Sequence, residues 1–296
     1  MSRSPEAPAS VIERVPGWAG VDDLRIEPLE GGWTNHNYRV EVGGDSFVLR
    51  VSGPHVAVLG IDRRAERAAL AAAARGGLGP EVSVFLLPEG HQVTRFIEGR
   101  TFPWHRAPAL PDALRMVEAA REIHAFPHEG VEYSPFRAVD RYISATERAG
   151  GKLPDDIGGL CERARAAECR SAARGDASSF CHNDLSLGNF VEDRACRLRV
   201  LDWEYAGMGD GFFDLATLVV GHAHDAKTER VLLESYCAGT VSDRDRERLR
   251  DMKLMYALRE ATWAELYGTL CGAAAPLAGE FRRAADDFFG RARELD

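Results

Sequence analysis

The segment that decides the fold is a short polar loop between apolar runs, Phe180-Cys181-His182-Asn183-Asp184-Leu185-Ser186-Leu187-Gly188-Asn189. A second segment follows it and ends a further apolar run, Val200-Leu201-Asp202-Trp203-Glu204. The apolar runs predict short strands, so Asp184, Asn189 and Asp202 all stand where a strand gives way to a loop. Carboxylate and amide oxygens are hard ligands that suit magnesium. The pattern therefore predicts a polar site built on a small β region.

The order of these residues is typical of phosphoryl transfer. The spacing H-x-D-L-x-x-x-N is that of a kinase catalytic loop, whose Asp takes the acceptor proton and whose Asn holds magnesium. We interpret Asp184, Asn189 and Asp202 as catalytic, with Asn189 and Asp202 as the magnesium ligands. The alternative is an ordinary turn whose Asp and Asn satisfy backbone groups. The loop, the second Asp and a β-rich region upstream occur together, which favours catalysis.

Composition excludes several classes of protein. The chain has 296 residues, 45% hydrophobic and 28% charged, which is enough for a large core without disulfides. Its 37 Lys and Arg against 46 Asp and Glu give a net charge of -9, which argues against nucleic acid and anionic membranes as partners. No segment resembles a signal peptide or a membrane span, so we expect a cytoplasmic protein. Nothing in the sequence predicts the oligomeric state.

Hydrophobic patterning predicts an α+β chain with two lobes, residues 1–98 and 99–296. The first lobe should be β-rich and hold one helix, at Asp62 to Arg75, closed by Gly76-Gly77. Its expected strands are Leu24 to Leu29, Asn37 to Val42, Ser46 to Val51, Val82 to Leu87 and His91 to Ile97.

The second lobe is expected to be mostly helical around the small β region. A helix should begin at Ser134-Pro135, and four more should lie at about 212–223, 226–238, 243–270 and 278–294. His222 and His224 have a spacing that can bind metal, but we interpret them as part of a solvated connection between helices. The six cysteines are interpreted as reduced thiols, mostly in the core.

The first lobe offers candidates for binding a nucleotide. Arg50 ends a strand and Glu66 stands on the next helix, which are the places of the phosphate-binding cation and its ion-pair partner in a kinase. The alternative is an exposed strand end and a solvated helix residue. Between the first two strands, the turn Gly31-Gly32-Trp33-Thr34-Asn35 offers small residues and free amides, so Gly32, Thr34 and Asn35 are expected to contact phosphates.

Taken together, these motifs resemble the choline/ethanolamine kinase family, especially its bacterial choline-kinase-like branch. That family lies within the aminoglycoside-phosphotransferase-like group of the protein-kinase-like fold. The resemblance rests on residues 29–220, and its most specific part is Asp202-Trp203-Glu204-Tyr205-Ala206-Gly207-Met208. It implies a bilobal kinase that uses ATP and magnesium to phosphorylate a small-molecule hydroxyl.

The resemblance also implies residue roles. Asp184 would be the catalytic base, Asn189 and Asp202 would hold magnesium, and Arg50 with Glu66 would orient the ATP phosphates. The hinge, with candidates Thr94, Phe96 and Ile97, would bond adenine through its backbone. Asp214 is expected to brace the catalytic loop.

The acceptor is the least determined part. In choline-binding members, aromatic residues of a late helix surround the quaternary ammonium. Here Trp263 takes the first aromatic position, Leu266 replaces the second tryptophan, and Tyr267 stands beside it. We expect Asp184, Glu204, Trp263 and Tyr267 to contact the acceptor, although Trp263 is equally compatible with core packing.

Three functions remain open from the sequence. The first is a kinase of a small amino alcohol such as choline or ethanolamine. The second is a phosphotransferase of the same fold that acts on an aminoglycoside, thiamine or a sugar. The third is a catalytically silent nucleotide-binding protein, which would be expected to have lost one of its three catalytic residues.

Overall fold

In the computed structural model, residues 6–30, 32–103, 106–127, 130–272, 275 and 277–295 are described. Gly31 of the expected phosphate turn lies outside these residues.

The N-terminal part is built on a five-stranded antiparallel sheet with the strand order β1-β2-β3-β5-β4. Its strands are β1 (Arg25–Pro28), β2 (His36–Val42), β3 (Asp45–Val51), β4 (Val82–Leu86) and β5 (His91–Arg95). The alternating apolar residues of β2, β3 and β5 turn Val40, Leu49 and Val93 to one face, where they are buried. This face makes a small core with Val11 and Trp18.

Three helices accompany the sheet, not one as the composition predicted: α1 (Pro8–Ile12), α2 (Val56–Leu59) and α3 (Arg63–Arg75). Both α1 and α2 are about one turn long, too short for a 3.6-residue period to appear. The expected long helix is α3, which begins where Asp62 caps the amides of Arg64 and Ala65 at 2.8 and 3.1 Å.

The C-terminal part is mostly helical, as expected. Its helices are α4 (Leu110–His124), α5 (Pro135–Arg148), α6 (Ile157–Arg174), α7 (Gly211–Ala216), α8 (Ala226–Tyr236), α9 (Asp243–Cys271) and α10 (Ala278–Glu294). The main core of the molecule lies among them. Ser134 caps α5 by accepting from the Arg137 amide at 3.3 Å, with Pro135 at the first position.

Two small antiparallel sheets carry the decisive loop. One joins β7 (Ser179–Cys181) to β10 (Gly207–Gly209), and the other has the order β6-β8-β9, with β6 (Gly99–Thr101), β8 (Phe190–Asp193) and β9 (Leu198–Val200). The patterning missed β6 and β10, which have three residues each. Because β7 and β8 flank the loop and β9 leads into Asp202, the polar residues converge beneath the first sheet.

Two further expectations on the C-terminal part were wrong. His222 is not solvated: it is 2% exposed and follows a π-helical turn, Thr217–Gly221, that continues α7. Its Nε2 donates to the Leu185 carbonyl at 3.0 Å. All six cysteines are free, but of them Cys181 alone is buried and three are exposed.

Among the described residues, no helix has both the length and the apolar character that crossing a membrane requires.

Candidate active site

The catalytic loop is held from below by one buried carboxylate. Asp214, at the start of α7, accepts the amides of His182 and Asn183 at 2.9 and 2.7 Å, and it also pairs with His124 at 2.9 Å. Asn183 adopts a left-handed backbone with φ of 64° and donates its side chain to the Tyr205 carbonyl at 3.0 Å. These bonds fix the backbone just before Asp184.

Asp184 and Asn189 form one hydrogen-bonded unit. The Asn189 Nδ2 group donates to the Asp184 carbonyl at 2.8 Å and to its carboxylate at 3.3 Å. The Asn189 carbonyl accepts the Leu201 amide at 2.8 Å, which ties the loop to the residue before Asp202. Burial raises the pKa of Asp184, and the positive charge of Arg259 opposes that shift.

Arg50 joins the sheet to Asp202. Its guanidinium pairs with Glu66 on α3 and, through the other Nη group, with Asp202 at 2.9 Å. A third bond goes to the Gly90 carbonyl at 3.2 Å. The structure thus brings together the Arg, the helix Glu and the Asp that sequence analysis placed in one site.

The glycine-rich turn rests on Glu204. Thr34 Oγ1 and Asn35 Nδ2 donate to its carboxylate at 3.3 and 3.0 Å. Gly32 has a φ of 88°, and a Cβ there would lie 2.7 Å from the Asn35 carbonyl, so a residue with a side chain would be strained at this point.

Glu204 is also paired with Arg63 at 2.9 Å, and Arg63 pairs with Glu66 at 2.7 Å. All three side chains are at most 5% exposed. The Glu204 carboxylate, expected to contact the acceptor, is therefore already occupied by partners from the N-terminal part. Sequence analysis gave Arg63 no role, although it follows the helix cap in the Ile61-Asp62-Arg63 motif.

The charges around Asp202 favour a bound cation. Burial raises the pKa of Asp202, and the adjacent Glu204 carboxylate adds to the increase. Burial alone would also raise the pKa of Glu204, but Arg50 and Arg63 outweigh it and hold that pKa below its usual value. Asp202 therefore carries the charge that is least compensated.

The donor set at this point fits magnesium. Glu66, Asp202 and Glu204 place oxygens within 4.8 Å of one another. Glu66 pairs with both buried arginines, whereas Asp202 pairs with Arg50 alone. Asp202 retains 33% side-chain exposure toward the cleft. Because Asn189 uses its nitrogen to hold Asp184, its amide oxygen remains available as a second hard ligand.

The expected hinge residues end the sheet. Thr94 lies inside β5, paired with Val48 of β3, and the Phe96 amide donates to the Ser46 carbonyl at 3.0 Å. Ile97 follows in the segment that leads to β6. Adenine recognition through the Phe96 amide would thus compete with a bond that closes the sheet.

The aromatic residues of α9 pack on each other. Trp263 and Tyr267 stack at 5.3 Å between ring centroids with an 11° interplanar angle, and Phe281 of α10 meets both edge-on or tilted. Trp33 of the glycine-rich turn reaches this group, 5.2 Å from Phe281. Tyr267 is buried, whereas Trp263 is half-buried.

Besides Arg63, a second buried residue at the site was not assigned from the sequence. Arg259 of α9 is 2% exposed and lies 3.8 Å from the Asp184 carboxylate. The available signal was a charged residue within an apolar helical stretch, Leu254-Met255-Tyr256-Ala257-Leu258-Arg259.

Comparison with known proteins agrees with this geometry. A family model described as "Phosphotransferase enzyme family" matches residues 25–251. The chain therefore belongs to the phosphotransferase enzyme family.

Relatives within that family are more specific. Protein LicA of Haemophilus influenzae is 30% identical over 217 residues, which cover 71% of this chain and 62% of LicA. A choline/ethanolamine kinase family protein from Mesorhizobium loti is 28% identical, with a TM-score of 0.77 over 97% of this chain and 92% of that one. The resemblance to choline/ethanolamine kinases is thereby confirmed.

The bilobal kinase-like fold is confirmed as well. Choline kinase LicA from Streptococcus pneumoniae, 23% identical, has a TM-score of 0.77 over 95% of this chain and 98% of its own. A LicA structure in complex with AMP has the same fold, with 21% identity and a TM-score of 0.76 over 96% of this chain and 98% of that one.

Proposed function

We propose that this protein is an ATP-dependent kinase that transfers the γ-phosphoryl group to the hydroxyl of a small amino alcohol such as choline or ethanolamine. The observation that carries the proposal is the convergence of Asp184, Asn189 and Asp202 at one place. Asn189 holds Asp184 through its side chain, and its carbonyl accepts the amide of Leu201, the residue before Asp202.

Arg50 supplies the cation for the donor phosphates. An arginine can hold phosphate oxygens through two parallel N–H bonds, so the change from the lysine of protein kinases keeps the role. Its pairing with Glu66 fixes the guanidinium beside Asp202, where triphosphate oxygens would meet both charges. The glycine-rich turn, anchored on Glu204, closes over the same place.

Asp184 is assigned to the acceptor. A bond forms between the acceptor oxygen and the γ-phosphorus, the bond from that phosphorus to the β–γ bridging oxygen breaks, and ADP leaves. The proton of the acceptor hydroxyl passes to the Asp184 carboxylate, which orients the hydroxyl before transfer. Asn189 and Asp202 would hold magnesium, which supplies charge neutralisation at the phosphate oxygens.

The proposed preference for an amine rests on the similar kinases and on the aromatic residues of the site. Trp33, Trp263 and Tyr267 belong to one aromatic group with Phe281, and Trp33 is exposed; π faces attract quaternary ammonium groups. Two solved structures support this preference. One protein of the same fold is a choline kinase, and a second similar protein belongs to the choline/ethanolamine kinase family.

The test is an acceptor panel with the full chain, ATP and magnesium, measured as ADP release. The panel holds choline, ethanolamine, thiamine, kanamycin and glucose, with 3,3-dimethylbutan-1-ol as the matched neutral control for choline. We expect an amino alcohol to give the highest kcat/KM, and the neutral control to be at least about tenfold poorer.

Other outcomes separate the parts of the proposal. If kanamycin, thiamine or glucose is the best acceptor, or the neutral control equals choline, the amino alcohol is wrong and the kinase stands. If no acceptor raises ADP release above the buffer rate, the kinase assignment itself fails.

A further inference from the structure

Arg259 is a buried cation beside the proposed base. It stands in the middle of α9, is 2% exposed, and its Nη1 lies 3.8 Å from Asp184 Oδ1. Taking a guanidinium out of water is costly, and replacing a buried ion pair with apolar residues is often neutral or stabilising. Stability alone therefore gives little reason for an arginine at this position.

Its surroundings fix the guanidinium firmly. The charge centre lies 4.5 Å above the Tyr205 ring, in the motif that follows Asp202. The neighbouring Glu260 carboxylate pairs with the same Nη1 that faces Asp184. The cation is thus stacked on one side and shared by two carboxylates.

Asp184 is contacted on both of its oxygens. Oδ2 accepts from Asn189 at 3.3 Å, while Oδ1 faces Arg259. The terminal torsion of an aspartate is broad, so one contact leaves the carboxylate free to rotate. Two contacts from different elements, the catalytic loop and α9, define its plane.

The ion pairs of Arg259 do not use all of its N–H donors. Within the described residues, its Nε and Nη2 groups are buried without a hydrogen-bond acceptor. Arg259 leaves two such groups, whereas Arg50, Arg63 and Arg174 leave one each.

We propose that Arg259 is a positioning residue for Asp184, which holds the carboxylate in the orientation that receives the acceptor hydroxyl. The inference rests on the proposed function and deepens it. Arg259 acts through Asp184, whereas Arg50 acts on the donor side of the cleft. Losing it should reduce turnover while ATP affinity is retained.

The experiment compares Arg259→Met, Arg259→Lys and Arg259→Met/Glu260→Leu with the parent chain, using the best acceptor of the panel. The double variant removes both charges, so that no unpaired Glu260 is left to disturb folding. Arg174→Met is the matched control, since Arg174 is a largely buried arginine that pairs with Asp176 and Asp251 at the other end of α9.

We expect Arg259→Met and the double variant to lower kcat by about thirtyfold or more, because a misplaced catalytic group can cost about a hundredfold. The KM for ATP should stay within about twofold. Arg259→Lys should recover more than a tenth of the parental kcat. Arg174→Met should lower the melting temperature and leave the kcat of the folded protein alone.

Two kinetic results would overturn the proposal. One is a kcat within threefold of the parent in Arg259→Met, and the other is a double variant restored to the parental rate, which would make Arg259 a mere partner of Glu260. A crystal structure of Arg259→Met gives a readout that needs no turnover. Rotation of Asp184 away from Asn189 supports the proposal, and an unmoved carboxylate contradicts it even if the kinase assignment fails.

Discussion

Two residues of the site have a backbone conformation that side chains rarely adopt. Asn183 and Asp202 have φ values of 64° and 59°. Asn and Asp tolerate the left-handed region better than other residues with a Cβ, but the conformation still costs on the order of 1 kcal/mol. The cost at Asn183 is offset by bonds to Asp214 and Tyr205, and the turn at Asp202 directs its carboxylate toward Arg50.

The first prediction concerns Asp202→Ala. Since this carboxylate is the least compensated charge of the site, its loss should remove the magnesium dependence of nucleotide binding while Arg50 still pairs with Glu66. Calorimetric titration with ATP, with and without magnesium, measures this. Asp156→Ala, which removes an exposed carboxylate paired with Arg293, is the control.

For this prediction, the contradicting outcome is a variant whose ATP affinity responds to magnesium as in the parent chain. The metal ligands would then lie elsewhere, and neither Asp202 nor Asn189 would be a magnesium ligand.

The second prediction concerns His222 and pH. Burial lowers the pKa of His222 to about 3, so the folded protein keeps this imidazole neutral while the unfolded chain takes up a proton near its ordinary pKa of 6.5. The unfolding free energy should therefore fall as pH drops below 6.5, by about 1 kcal/mol between pH 7.5 and 5.5. His222→Gln should lose correspondingly less over that range.

Denaturant unfolding of both proteins at the two pH values measures the difference. Equal pH dependence of the two proteins would show that the His222 ring is accessible to protons in the folded state.

Among single residues, those that belong to regular sequence motifs could be predicted from the sequence. Asp184 and Asn189 lie in one loop with a fixed spacing. Arg50 lies near the end of a strand, and Glu66 lies in the first turn of a helix. Arg63 and Arg259 could not be assigned in this way, because their partners are set by tertiary packing. Arg63 meets Glu204 from a position 141 residues earlier in the chain.

At the scale of elements, α9 connects the core to the site. Its 29 residues carry Asp251 near the start, which pairs with Arg174, then Arg259 beside Asp184, and then Trp263 and Tyr267. Residues 259, 263 and 267 follow each other at steps of four, so they lie on one face of the helix. The aromatic pair thus continues the row that begins at Arg259, beside Asp184.

The third prediction is placed on this helix. Trp263→Ala should raise the KM of the acceptor by about five- to thirtyfold, as expected for a cation–π contact of about 1–2 kcal/mol, and leave the KM of ATP unchanged. Trp18→Ala, in the N-terminal core against Phe47, should lower the melting temperature and leave both KM values alone.

Core packing gives the opposite pattern for Trp263. If Trp263→Ala loses stability as Trp18→Ala does, by about 3–5 kcal/mol, and the folded fraction keeps the parental acceptor KM, Trp263 is a packing residue.

Elements were predictable where they were long enough to show a period. Helix α10 was expected at 278–294 and spans Ala278–Glu294. Strands β6 and β10 have three residues each, and their pairing with β8 and β7 is made by residues about 30 to 90 positions away. The local sequence around a short strand does not indicate such distant partners.

At the scale of the molecule, the two parts are joined by polar contacts across the cleft. Arg50 meets Asp202, Arg63 meets Glu204, and the turn at Thr34 and Asn35 is bonded to the same glutamate. Breaking one buried pair by removing a partner typically costs about 3–5 kcal/mol. The contacts therefore hold the glycine-rich turn against Glu204, next to Asp202.

The two-part architecture followed from a change in periodicity along the chain, from alternating strands to helices. The division at residue 98 stays a prediction. It falls between β5, which belongs to the five-stranded sheet, and β6, which pairs with β8. The closure of the cleft was not predictable, because Thr34 and Glu204 are 170 residues apart in sequence.

If Asp184 and its neighbours form a phosphoryl-transfer site, the protein must make a phosphorylated product. The full chain is incubated with ATP, magnesium and choline or ethanolamine, and ³¹P NMR follows the appearance of a phosphomonoester. The parent chain should form it in step with ADP. Asp184→Asn should bind ATP nearly as well and form it at least about a hundredfold more slowly, because the acceptor loses its base. A folded Asp184→Asn protein that forms the phosphomonoester within a few-fold of the parental rate would contradict the account.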